Sequence, residues 1–98
     1  MYARVMTGLI QPGKMDEMIR IYRDSIMPTA KEQKGFKGGI LLTDSTTNKI
    51  ISISLWETEA DMKAGEASGY LQQQIGKVAP TLAAPSVREA YEVSVYEE

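Results

Sequence analysis

Hydrophobic and polar positions along the chain switch between two periods. In residues 49–57 Ile51, Ile53 and Leu55 fall on one face, and Ile50, Ser52, Ser54 and Trp56 on the other. That period of two marks a strand. Residues 2–10 alternate more loosely, with Ala3, Val5, Thr7 and Leu9 opposite Tyr2, Arg4, Met6, Gly8 and Ile10. Both of those faces are more apolar than a solvated sheet allows. Residues 36–43 read as a further strand, in which Gly38 and Gly39 predict a bulge or a close backbone approach. The polar run of residues 44–48 joins it to the Ile50–Trp56 strand as an antiparallel hairpin. Residues 87–96 are the last strand, with Arg88, Ala90, Glu92, Ser94 and Tyr96 as its outer set.

Between these runs the period lengthens. Met15, Met18, Ile19, Tyr22 and Ile26 form one helical stripe that follows Pro12 and Gly13. Pro28 should kink or break that helix, and Gly35 is the glycine expected to finish it. Thr58 caps a short helix, with Asp61 where a capping-box partner would sit, and Gly65 is expected to end it. Ser68 is the expected cap of the next helix, from 69 to about 79. Its stripe is Leu71, Ile75, Val78, Ala79 and Leu82, its glutamines 72–74 face outward at least in part, and Pro80 and Pro85 stop it.

The order predicts a single domain over 1–98 of ferredoxin-like α+β class, a four-stranded antiparallel sheet with helices on one face. The face away from the helices is also apolar on several strands. Large bare apolar patches are rare on soluble monomers, so a symmetric homodimer with its sheets packed face to face is expected.

Composition narrows the chemistry. The 98 residues carry a net charge of −2 and are 43% hydrophobic, enough for a core. Lys31, Lys34 and Lys37 come closest to a basic run, but Glu32 interrupts it. A solvated helix end accounts for them better than a nucleic-acid patch. Without cysteine there is neither a disulfide framework nor thiol chemistry. Without histidine as well, the usual triads and most zinc sites cannot be built, and no imidazole can ligate haem iron. Acid–base work falls to carboxylates, tyrosine or lysine. No signal-peptide pattern and no apolar run near the ~20 residues of a membrane span is visible, so a soluble, cytoplasmic protein is expected. Trp56, the one tryptophan, ends a strand just before a helix start and shares its face with Ser52 and Ser54. Any pocket here should have Trp56 in its wall.

Three stretches resemble the antibiotic biosynthesis monooxygenase family of dimeric α/β-barrel proteins: Met27-Pro28 through Lys34-Gly35-Phe36, Leu55-Trp56-Glu57-Thr58-Glu59-Ala60, and Ala67-Ser68-Gly69-Tyr70-Leu71. They are similar to the family's proline and "PGF"-like turn, its "W-E-S-E-E-A" passage and its "A-S-P-H-F" segment. The resemblance implies a homodimer whose sheets close into a barrel, with a cavity between sheet and helices in each subunit. Some relatives oxygenate polycyclic phenols or quinols without metal or flavin, and others bind and degrade haem. Trp56 matches the family's pocket tryptophan. The haem-degrading relatives' histidine falls at Gly65 or Glu66, their first-strand asparagine at Met6 or Thr7, and their second histidine at Tyr70. Haem degradation of that type is therefore not expected, and no cofactor or metal is implied.

On that footing Trp56 and Tyr70 are the catalytic candidates, and Arg4, Tyr22, Ser52 and Ser54 the substrate-binding ones. Trp56 would stack on a ligand, Tyr70 and Tyr22 would hydrogen-bond to it, and Arg4 would stabilise a phenolate if it points inward. Plainer readings stand beside these. Trp56 and Tyr70 are also explained as packing residues, Arg4 as a partner of Glu89 or Glu92, and the serines as small residues beneath a helix. Three functions remain open: a cofactor-independent monooxygenase acting on a small aromatic or quinol compound, a non-catalytic stress-responsive dimer holding a small apolar ligand, and a cofactor-independent isomerase or decarboxylase.

Overall fold

The computed structural model describes residues 1–98. Strands β1 (Tyr2–Leu9), β2 (Phe36–Asp44), β3 (Lys49–Trp56) and β4 (Val87–Glu92) form one sheet in the order β2-β3-β1-β4, antiparallel throughout. Helices α1 (Met15–Ile21) and α2 (Met27–Ala30), joined by a π-helical turn over Tyr22–Ile26, connect β1 to β2. Helices α3 (Glu59–Ala67) and α4 (Tyr70–Val78) lead from β3, through a 3-10 turn over Ala79–Thr81, towards β4. This is the ferredoxin-like α+β arrangement.

Register settles which side chains share a face. Arg4 lies opposite Ser54 and Met6 opposite Ser52, while Gly39 and Leu41 of β2 flank the same two serines. That face lies beneath the helices. Ile10, Met18, Tyr22, Ile26, Ile50 and Val78 form the core between the layers. Val5, Ile53 and Ile40 make a row across the other face, with Thr7, Ile51 and Leu42 beside them. No element of the chain covers that row, and Ile40 and Leu42 stand 46% and 48% exposed.

The hairpin turn 44–48 is held by Thr46 N–H donating to Asp44 Oδ1 at 2.9 Å. Asn48 takes the left-handed conformation there (φ 60°), which asparagine tolerates better than most residues. The glycines of β2 do both things expected of them. A register shift falls between Phe36 and Gly38, and a Cβ on Gly39 would lie 2.7 Å from Met27 Sδ.

The helical expectations need correcting in several places. The chain stays helical through Pro28. The π-helical turn before it, where Met27 N–H bonds to Tyr22 O, delivers the proline into the first turn of α2. A missing N–H costs little there. Gly65 does not end α3, which runs on to Ala67. The left-handed residue after it is Gly69 (φ 86°). Gly65 instead makes room for Tyr70, whose ring would lie 3.1 Å from a Cβ placed on it. Gly69, not Ser68, occupies the N-cap position of α4, and Ser68 Oγ donates to Gly65 O at 3.3 Å. Gln74 is buried rather than turned outward, and Ala79 is exposed. The last strand stops at Glu92 instead of Tyr96, because its partner β1 begins at Tyr2, opposite Glu92. Arg88 and Ala90 pair with Met6 and Arg4, so the supposed outer set lies on the helix side, at an edge the helices leave open.

Candidate active site

The alternation of β3 aims Ser52, Ser54 and Trp56 under the helices. Serines at two of those positions fill little volume, and the gap they leave is closed by longer side chains around it. Arg4 and Met6 come from β1, Tyr22 from the π-helical turn, and Tyr70 and Gln74 from α4. The cavity between them encloses about 740 Å³ of empty space, its open mouth included. Of its 19 lining residues 14 are hydrophobic, so the few polar groups act in surroundings that screen them poorly. Arg4, Tyr22, Ser52, Ser54, Trp56 and Tyr70, singled out from the sequence, all line this one cavity.

Their roles are unequal. Trp56 is only 1% exposed. Its indole N–H donates to Ser54 Oγ at 3.0 Å, and Phe36 packs edge-on at a centroid distance of 5.4 Å. The guanidinium carbon of Arg4 lies 5.5 Å from the centre of its ring, within cation–π range. Trp56 thus supports Arg4, and a ligand would have to displace neighbours to stack on it.

Arg4 is a buried charge, 3% exposed. Its Nη2 donates to Met62 O at 2.6 Å and lies 3.6 Å from Glu66 Oε2. Glu66 Oε1 is in turn 3.4 Å from Arg88 Nη1. The expected pairing of Arg4 with Glu89 or Glu92 does not form. Glu89 sits opposite Val5 and so projects from the other face, and Glu92 sits at the exposed strand end. Arg4 is drawn beneath α3 instead. Burial lowers its pKa and Glu66 opposes that shift. An arginine starts so high that it stays charged.

The Tyr22 hydroxyl accepts from Ser52 Oγ at 3.4 Å and donates to Ile40 O at 3.4 Å. Burial raises its pKa, against a smaller opposing effect of the Ser52 bond. Burial also raises the pKa of Tyr70, although Arg4 pulls it back. Both are therefore neutral phenols near pH 7, suited to donating hydrogen bonds and not to abstracting protons. No aspartate, glutamate or histidine lines the cavity.

Gln74 and Glu66 were missed in the sequence. Gln74 shares the α4 stripe, three residues after Leu71 and four before Val78, so its spacing was the available signal. Its Oε1 accepts from Lys77 Nζ at 2.9 Å. Met18 of the first helical stripe and Met27 also form part of the wall.

The same architecture recurs in solved structures. SnoaB of Streptomyces nogalater, a cofactor-independent oxygenase, superposes with a TM-score of 0.79 at 12% identity, over 97% of this chain and 94% of that one. A putative antibiotic biosynthesis monooxygenase of Caulobacter crescentus gives 0.78 at 19% identity, over 96% and 90%. At such identities the likeness is one of fold. Residues 1–76 match the family described as antibiotic biosynthesis monooxygenase. The chain belongs to that family. An uncharacterised protein of Mycobacterium tuberculosis is 40% identical over 63 residues, a stretch that is 64% of this chain and 27% of that protein. The match thus spans about a quarter of the length of that relative.

Proposed function

We propose that the chain is an oxygenase that binds a small aromatic or quinol-type compound in the cavity between sheet and helices and lets it react with O2 without metal or flavin. The observation supporting this is the convergence of Arg4, Tyr22 and Tyr70 in an otherwise apolar wall, in a member of the monooxygenase family. Such a reaction asks for no external reductant. When an electron-rich phenol becomes a quinone, one oxygen atom enters the ring as a carbonyl. The other leaves as water with the two hydrogens the substrate loses. The protein holds the ring, excludes water and offers hydrogen bonds to its oxygens. Tyr70 is the donor, and Tyr22 joins it only by releasing Ile40 O. Oxygen uptake with a panel of naphthols, quinols and anthrones tests this. Uptake with a matching quinone product, strongly reduced in Tyr70→Phe, is expected. Binding with no uptake by any of them would overturn it.

The wall without a carboxylate or imidazole favours a second reading, a dimer that holds such a ligand without turning it over. The dimer belongs to both readings: the bare row through Val5, Ile53 and Ile40 would be covered by the same row of a second copy. Light scattering should return twice the mass of one chain, and a single-chain mass at every concentration would refute it. Product formed without oxygen would point instead to an isomerase or decarboxylase.

A further inference from the structure

We propose that the ligand carries an uncharged hydrocarbon chain, which leaves the cavity past Ile75, Leu82 and Ser86 and lies in an apolar groove outside it, between α4 and residues 82–86. The ligand class is then a ring with an alkyl or isoprenoid substituent, and not a bare ring or one with a charged side arm. This rests on the cavity being the ligand site, as proposed above.

The first support is continuity. The helices leave the β4 edge open, and on their side of it Arg88 and Ala90 are exposed. Leu71, Gln74 and Val78 of α4 face the core and are buried, while Ile75 on its flank is half-buried. Ile75, Leu82 and Ser86, all half-buried, line both the cavity and the groove. Ala79, four residues beyond Ile75, lines the groove along the same flank. The groove thus begins where the cavity wall ends.

The second support is chemistry. None of the seven residues lining the groove is charged, and Ser86 carries the one polar group among their side chains. Lys77, the only charged residue of α4, is held instead by Gln74 Oε1 at 2.9 Å and by Thr29 of α2. Hydrocarbon laid along such a surface leaves water without stranding a polar group. The outer wall is also fixed beforehand. Ala83 N–H donates to Leu9 O at 2.8 Å, and Gln11 Nε2 donates to Leu82 O at 3.0 Å. A preformed wall gives up little freedom when a chain settles on it. A second copy packed on the bare row through Val5, Ile53 and Ile40 would leave the groove free, because α4 lies on the opposite side of the sheet.

Probes on one ring separate the possibilities: 2-naphthol, its 4-butyl and 6-butyl derivatives, and the 3-carboxypropyl counterparts of both. Binding is followed by calorimetric titration without oxygen, so that no turnover intervenes. The better butyl isomer should bind at least about tenfold more tightly than 2-naphthol, and its carboxylate counterpart should lose that gain. Ala79→Glu and Ala84→Glu each place a charge in the groove at an exposed position. Both should erase the butyl gain and leave the affinity for 2-naphthol unchanged. If neither variant folds, the wild-type comparison of butyl with carboxypropyl still decides. No gain from either chain, a carboxylate that binds as tightly as the butyl compound, or a gain that survives both charges overturns the inference and leaves the cavity reading standing. A mass by light scattering that drops in Ala79→Glu does the same, since a second copy then fills the groove. Failure of every probe to bind, together with the quinols and anthrones, overturns both.

Discussion

On the helix side of β3 the chain alternates bulk with gaps, Ile50 and Trp56 against Ser52 and Ser54. On the other side the same strand offers Ile51, Ile53 and Leu55 without a break. The neighbouring strands follow suit. β1 sends Arg4 and Met6 beneath the helices and Val5 to the bare face, and β2 sends Gly39 one way and Ile40 the other. The covered face thus gives up packing to make room for polar groups inside it. The bare face carries Val5, Ile51, Ile53, Ile40 and Leu42 together, with nothing over them in this chain. A site needs the first kind of surface and an assembly the second, and one strand parity separates them.

Mutations on the two faces of β3 test that contrast. The largest effect is expected at Trp56. Its truncation to alanine removes a fully buried ring, the edge contact with Phe36 and the support under Arg4. A loss of about 3–5 kcal/mol is expected in denaturant unfolding. Ile53→Ala is the counterpart on the bare face. In a lone chain Ile53 is half-buried, and its truncation should cost about 1 kcal/mol. Under a second copy the side chain would be enclosed and the cost should rise to about 2–5 kcal/mol. Ile40→Glu combined with Leu42→Glu sharpens the same point. The double variant should keep its circular-dichroism spectrum, show the mass of a single chain, and melt at a temperature independent of concentration. A doubled mass in that variant would mean that copies meet elsewhere.

How much of this was readable beforehand depended on the range of each interaction. Strand parity was legible because a period of two needs no tertiary knowledge, and it put Ser52, Ser54 and Trp56 on one face correctly, whereas Arg4 joins them only through the register of β1 on β3. The Thr58 cap was legible for the same reason: its hydroxyl accepts from Asp61 N–H at 3.0 Å, three residues away. The failures are long-range or competitive. Gly65 looked like a helix end but answers to the Tyr70 ring, and only the packing of α4 on α3 shows that. Pro28 was read as a kink or a break, and the π-helical turn that accommodates it leaves no composition signature. Arg4 looked like a cross-strand partner of glutamates because register was unknown. Once β4 is registered on β1, Glu89 falls on the wrong face and Glu66 of α3 takes its place. The glutamines do face outward in part, at Gln72 and Gln73, while the spacing of Gln74 on the apolar stripe turns it inward.

The cap separates local from long-range effects at a smaller scale. Thr58→Ala should cost about 1 kcal/mol, because Asp61 N–H loses its acceptor at the start of the helix that carries Glu66. Ser68→Ala should stay within about 0.5 kcal/mol, since Ser68 Oγ makes only long contacts of 3.3 and 3.4 Å. Urea unfolding of both variants decides it. Equal losses would mean that Ser68 also caps a helix.

The smallest expected effect compares one tyrosine from each face. Tyr22 is 7% exposed on the covered face, and Tyr91 is 52% exposed on the bare one. Both have raised pKa values, but for different reasons: burial for Tyr22, and for Tyr91 a hydrogen bond donated to Glu89 together with that carboxylate's charge. A raised phenol pKa means that the unfolded chain gives up its proton first. The stability due to Tyr22 is therefore intact below about pH 10 and is lost as pH climbs through the higher folded value. Unfolding free energy should be level from neutral pH to about pH 10 and fall beyond it, more gently in Tyr22→Phe. Salt distinguishes the two causes. Screening by 1 M sodium chloride should bring Tyr91 back towards the ordinary phenol range and leave Tyr22 where it is, as read from phenolate absorbance in the two phenylalanine variants. If a second copy seals the bare face, Tyr91 becomes buried too, and its titration turns salt-insensitive until the Ile40→Glu, Leu42→Glu pair opens that face again.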